Sequence, residues 1–138
     1  MLTDERMHQL CENWREALNL KDWAVNLQIV GHGILRVGAM GDCNMVVNKK
    51  YATIRLLSAQ LYPAMRAAGA RLEADDEFEQ ERCLVHELMH LHYAPLDSMI
   101  GNDSVAEVIL EQAISSVDRV IVELAQAARG SAIMAAAA

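Results

Sequence analysis

The stretch that most constrains this chain is Cys83-Leu84-Val85-His86-Glu87-Leu88-Met89-His90-Leu91. His-Glu-x-x-His makes chemical sense only on a helix, where a turn of about 100° per residue sets His86 and His90 one above the other. With His86 at zero, Leu84, Leu88 and Leu91 fall at roughly 160°, 200° and 140°, an apolar stripe on the far side. Glu79, Cys83, His86, Glu87, His90 and Tyr93 share the near side. One face is thus built for burial, and the other carries two imidazoles and a carboxylate.

Two imidazoles so placed can hold one zinc ion, and Glu87 beside them can take a proton from a water on that metal. Two histidines do not complete a catalytic zinc site. A third protein ligand is needed, with the fourth position left for water. The pattern His-Glu-x-x-His-x-x-Gly-x-x-His is excluded, because position 93 is Tyr and position 96 is Leu. His92 lies about 160° around the helix from His90 and reads as a surface residue. That leaves a carboxylate on the last helix. Ser104-x-x-Glu107 has the form of a capping box, which gives Glu107 a structural use. Glu111 has none, so Glu111 is the preferred third ligand and Glu107 the alternative. Asp118, two turns beyond Glu111 on the same side, is a candidate acceptor for orienting a ligand histidine. Cys83 reads as a buried structural thiol rather than a fourth ligand.

The rest of the chain supplies an α+β frame. Residues 3 to 19 form an amphipathic helix capped by Thr3, with Met7, Leu10, Cys11, Trp14 and Leu18 on one stripe. Trp23 to Ile29 alternates with period two and is the first strand. Gly31, Gly33, Gly38 and Gly41 break the next stretch into turns, with a short strand at Ile34 to Val37; His32, between two glycines, is a solvated loop residue. Asn44–Val47 and Tyr51–Leu57 pair as a hairpin, giving a sheet of three to four strands, and any exposed edge of it could take a peptide as an extra strand. Residues 58 to 70 are partly helical, with Pro63 near the start. The acidic run 73 to 81 complements the positive end of the histidine helix, with Asp76 and Glu79 as a capping box. That helix stops at Tyr93, ahead of Pro95. A loop over 94–103 leads to a final helix over 104–129. Val105, Ile109, Ala113, Val117, Val120 and Leu124 lie on one side of it, and Ser104, Glu107, Glu111, Ser115 and Asp118 on the other. Gly130 and Ser131 end it, so residues 1–130 read as a single domain and 131–138 as an Ala-rich tail.

Composition narrows the partners. In 138 residues with 53% hydrophobic side chains there is enough for one core, and a net charge of −7 speaks against nucleic acid or an anionic membrane. No stretch reads as a bilayer span, and Asp4 and Glu5 stand where a signal peptide would carry basic residues, so the expected location is the cytoplasm. Cys11, Cys43 and Cys83 are expected to be reduced thiols.

With His86, Glu87, His90 and Glu111 in view, the chain resembles the gluzincin metallopeptidases, which carry His-Glu-x-x-His on one helix and a glutamate ligand on a following helix. More narrowly, it is similar to small single-domain metallopeptidases of phages and prophages. That resemblance implies a zincin-like fold, one zinc ion, peptide-bond hydrolysis with Glu87 as general base, a peptide or protein substrate, and an oxyanion-stabilising Tyr or His, for which Tyr93 is the candidate. The alternative is a zinc-stabilised binding or regulatory module, for instance in phage morphogenesis, that works with a protein partner and does not hydrolyse.

Overall fold

The computed structural model describes residues 3–72 and 75–137; Met1, Leu2, Ala138 of the expected tail, and Glu73 and Ala74 of the acidic run lie outside the described residues. The chain forms α1 (Asp4–Ala17), β1 (Ala24–Val30), β2 (Gly41–Val46), β3 (Tyr51–Leu57), α2 (Tyr62–Ala67), α3 (Asp76–His92), α4 (Ala94–Ile100) and α5 (Ser104–Ala137). This is an α+β architecture with a small mixed sheet.

Thr3 caps α1 by accepting from Arg6 N at 3.2 Å, and Met7, Leu10, Cys11 and Trp14 turn inward. The sheet order is β1-β3-β2, with β1 parallel to β3 and β2 antiparallel to it. β3 is central because it has the residues for it. Ala52, Ile54 and Leu56 point into the core under α1 and α3, while Thr53 and Arg55 stay half-exposed on the other face. The hairpin closes through a 3-10 turn at Val47–Lys49, with Lys50 at φ 47, and β2 starts at Gly41, earlier than Asn44. Arg55 sits directly across from Asp42 and forms an ion pair with it.

Several expectations are corrected. Ile34 to Val37 is not a strand. Gly33 and Gly38 adopt φ of +80° and +81° on either side of it, and Val37 is fully exposed, so this stretch is part of the loop carrying the chain across β3. The cap of α3 is Asp75, whose carboxylate accepts from Phe78 N at 2.9 Å, not Asp76, whose carboxylate pairs with Arg66. Pro95 opens α4 instead of leading a loop, since a proline at the first helical positions loses no hydrogen bond. Asp103, not Ser104, caps α5, accepting from Val105 N and Ala106 N at 3.1 Å each. Gly130 does not end α5, which continues to Ala137 through Ala-rich sequence of high helix propensity.

The acidic run also does more than complement a helix dipole. Glu79, Gln80 and Glu81 are buried. Glu81 accepts from Trp14 Nε1 at 2.7 Å, from Gln126 Nε2 at 3.0 Å and from Arg129 through both oxygens at 2.8 and 2.7 Å. A carboxylate removed from water needs such donors. This one joins the first, third and last α-helices.

α5 docks on α3 through Leu110, Ile114, Asp118 and Val122, every fourth residue of its polar side. The more apolar side, with Val105, Ile109, Val117, Val120 and Leu124, is exposed.

Candidate metal centre

The docking of α5 on α3 brings Glu111 over the two histidines. His86 Nε2 lies 3.0 Å from Glu111 Oε2, and His90 Nε2 lies 2.9 Å from Glu111 Oε1. The rings stand 5.2 Å apart at 66°, so the two Nε2 atoms converge rather than stack. Ligand atoms of His86, His90 and Glu111 all lie within 4.8 Å of one another. Two imidazole nitrogens and a carboxylate oxygen, gathered from one turn of α3 and one residue of α5, form a donor set that suits a zinc ion with one position left open.

The outward ring nitrogens are also engaged. His86 Nδ1–H donates to Asp118 Oδ2 at 2.8 Å, and Arg82 Nε–H donates to the other oxygen of Asp118 at 2.8 Å. Asp118 is buried, and although burial raises its pKa, the bonds from His86 and Arg82 hold it below the usual carboxylate range. A fixed carboxylate on Nδ1 sets the ring so that Nε2 faces Glu111. His90 Nδ1 is 3.7 Å from Asp97 Oδ2, close enough for charge attraction but longer than a hydrogen bond. Burial works against charge on both rings. In His86 the Asp118 bond and the Glu87 and Glu111 charges overcome it and the pKa rises; in His90 burial prevails, with repulsion from His86, and the pKa falls.

Glu87 is 8% exposed, and burial pushes its carboxyl up to about 7, with Glu111 and Asp42 adding to the effect and His86 opposing it. It lies under the start of β2. A Cβ on Gly41 would stand 3.1 Å from Glu87 Oε1, 3.0 Å from Leu56 Cδ2 and 3.2 Å from the Arg55 carbonyl oxygen. Glycine at 41 is what lets the strand approach the carboxylate so closely.

Above these residues opens a cleft of about 570 Å³, with His86, Glu87, His90 and Glu111 at its base and residues 41–45 of β2 along one wall. Since β2 is the last strand in the order, its outer edge has no strand partner among the described residues. Arg36 lines this cleft and a neighbouring lobe that reaches Arg71 and Cys83.

Glu107 lines the cleft one turn from Glu111 but is not among the converging ligand atoms. Tyr93, the oxyanion candidate, packs against the core and is not one of the cleft's lining residues. Burial pushes the Cys83 thiol up to about 12, keeping it protonated and a poor metal ligand. Exposed His92 and His32 stay outside the cluster.

Asp97, Arg82 and Gly41 were not singled out by the sequence. Asp97 could have been found by reading Pro95 as the first turn of a helix, which sets Asp97 two residues on and back beside the end of α3. Arg82, at i−4 from His86, shares its face of α3 and was open to the same reasoning. Gly41 depends on a contact between β2 and α3 that no local pattern encodes. No protein-family model, curated protein or solved structure matches this chain.

Proposed function

We propose that this chain is a zinc-dependent peptide hydrolase of gluzincin type, with a zincin-like fold and His86, His90 and Glu111 as the metal ligands. The observation that carries the reading is the convergence of two Nε2 atoms on the Glu111 carboxylate, with a fourth functional group, Glu87, buried beside them at the base of an open cleft. Zinc in such a site lowers the pKa of a coordinated water to about 7 and polarises a carbonyl oxygen.

The chain's own residues do the rest. Glu87 takes the proton from the attacking water and returns it to the leaving amine. Asp118, itself held by Arg82, keeps His86 in the tautomer that presents Nε2. The outer edge of β2, which has no strand partner among the described residues, offers backbone donors and acceptors to an extended peptide, which would lie as a fourth strand with a carbonyl above Glu87.

The test is incubation of purified protein with a mixed peptide library, with added zinc and then with a chelator. Internal cleavage that stops on chelation is expected. Zinc bound with no peptide cut would favour the non-hydrolytic binding module instead.

The Gly41 contact gives a second expectation. Gly41→Ala should lower kcat about tenfold, by displacing Glu87, while destabilising the fold by only about 1 kcal/mol. Steady-state kinetics beside a thermal melt checks this; unchanged kcat would mean that the carboxylate has room to move aside.

A further inference from the structure

Among the described residues, one face of α5 is left without a partner. Val105, Ile109, Ala113, Val117, Val120 and Leu124 run along the side away from α3, and Ile109 and Leu124 keep 61% and 66% of their surface exposed. Single exposed hydrophobics are ordinary, but a continuous row over five turns is not. From Ala113 onward the row advances by 4, 3, 4 and 3 residues to Val117, Val120, Leu124 and Ala127, the spacing of a helix–helix seam. An arc of roughly 140° centred on the stretch from Ala113 to Ala127 holds no charged side chain, with Glu123 just beyond its edge.

We propose that this face is a homodimer interface, in which α5 of two copies packs antiparallel about a two-fold axis near Ile121. Three observations select a second copy as the occupant. The strip from residue 105 to 134 is about 45 Å long and about 12 Å wide, on the order of 1,000 Å² over two copies, which reaches the size of a specific interface. An antiparallel two-fold about Ile121 is self-complementary in charge. It brings Arg119, whose guanidinium lies 5.6 Å over the Phe78 ring at the border with α3, towards the partner's Glu123 on both sides of the axis; within one chain Arg119 and Glu123, which edges the row, lie 3.9 Å apart. Ala113 and Ala127 in the seam let the backbones approach closely.

A lipid surface fits less well, although α5 is long and apolar enough to cross a membrane by length and composition alone. Interfacial helices flank their apolar face with Lys and Arg, whereas α5 carries Glu107, Glu111, Asp118 and Glu123 against only Arg119 and Arg129. Asp118 is also held on α3 by Arg82 and His86. Glu111 lies on the docked side of α5, so the dimer keeps both clefts open and does not depend on the peptidase reading.

Light scattering on the full chain at about 100 μM, where even a weak specific dimer is populated, should give twice the 15.3 kDa monomer mass. The double variant Val120→Glu, Leu124→Glu should weaken the dimer at least about 100-fold, and Leu124→Gln about tenfold, both with unchanged far-UV circular dichroism because neither site is buried. A monomeric wild type overturns the proposal, as does a folded double variant that still dimerises. Anionic vesicles recruiting a monomeric wild type but not the double variant would overturn it in favour of a membrane surface.

Discussion

Glu87→Gln should reduce peptide hydrolysis by about 10²–10⁴-fold in kcat and leave the zinc content unchanged. Gln keeps the shape of the side chain but cannot accept the proton of an attacking water. Its amide fits the same space under Gly41, and His86, His90 and Glu111 are untouched, so the fold and the metal should stay. Linkage gives the variant a second signature in the metal-free protein. Burial lifts the Glu87 carboxyl from 4.5 to about 7, so between these values the folded state keeps a proton that the unfolded chain has released. Stability from this group is therefore present below pH 4.5 and is lost as pH rises to about 7. The Gln variant lacks that loss, and its melting temperature relative to wild type should rise across this window. Wild-type turnover in Glu87→Gln would remove Glu87 as the base.

The other large effect concerns the metal. Elemental analysis should find about one zinc per chain in the wild type, and sharply less in His86→Ala and Glu111→Ala. An ion bound at about 100 times its Kd adds about 2.7 kcal/mol, so zinc should raise the wild-type melting temperature by about 10 °C and leave both variants unmoved. Zinc retained by Glu111→Ala would shift the third ligand to Glu107, which lines the same cleft one turn away. A wild type with no zinc even in excess metal would end the metal reading and the hydrolase with it.

How far the sequence could be read depended on where each signal resides. α1 was legible because its cap and its apolar stripe lie within one turn-by-turn pattern, and β3 because its alternation matches its burial. The histidine pair was legible because its spacing is local. Glu111 could be ranked above Glu107 only by supposing that Glu107 served as a cap. In the structure Asp103 caps the helix in place of Ser104, so the expected box is not the one that forms, yet it is still Glu111 that faces the histidines. The reason is tertiary: Leu110, Ile114 and Val122 anchor the polar side of α5 to α3, and Glu111 is the carboxylate beside that anchor. The apolar stripe favours Val105 to Leu124 as the inner face, so no helical periodicity could reveal that they face outward. Glu81 was hidden for a similar reason. Within a run of carboxylates nothing local separates the one with buried donors from those in solvent.

The meeting of Trp14, Gln126 and Arg129 on Glu81 has a bearing on how the chain is made. Trp14 lies 67 positions before Glu81 and Arg129 lies 48 after it, so the carboxylate's partners leave the ribosome more than a hundred residues apart. A nascent chain that has reached His92 already contains the histidine pair, yet it holds one of Glu81's three donor residues. It has neither Glu111 nor Asp118. Closure of the core and completion of the candidate site therefore await the same late segment, and this protein matures after translation has passed α5, not while its strands emerge.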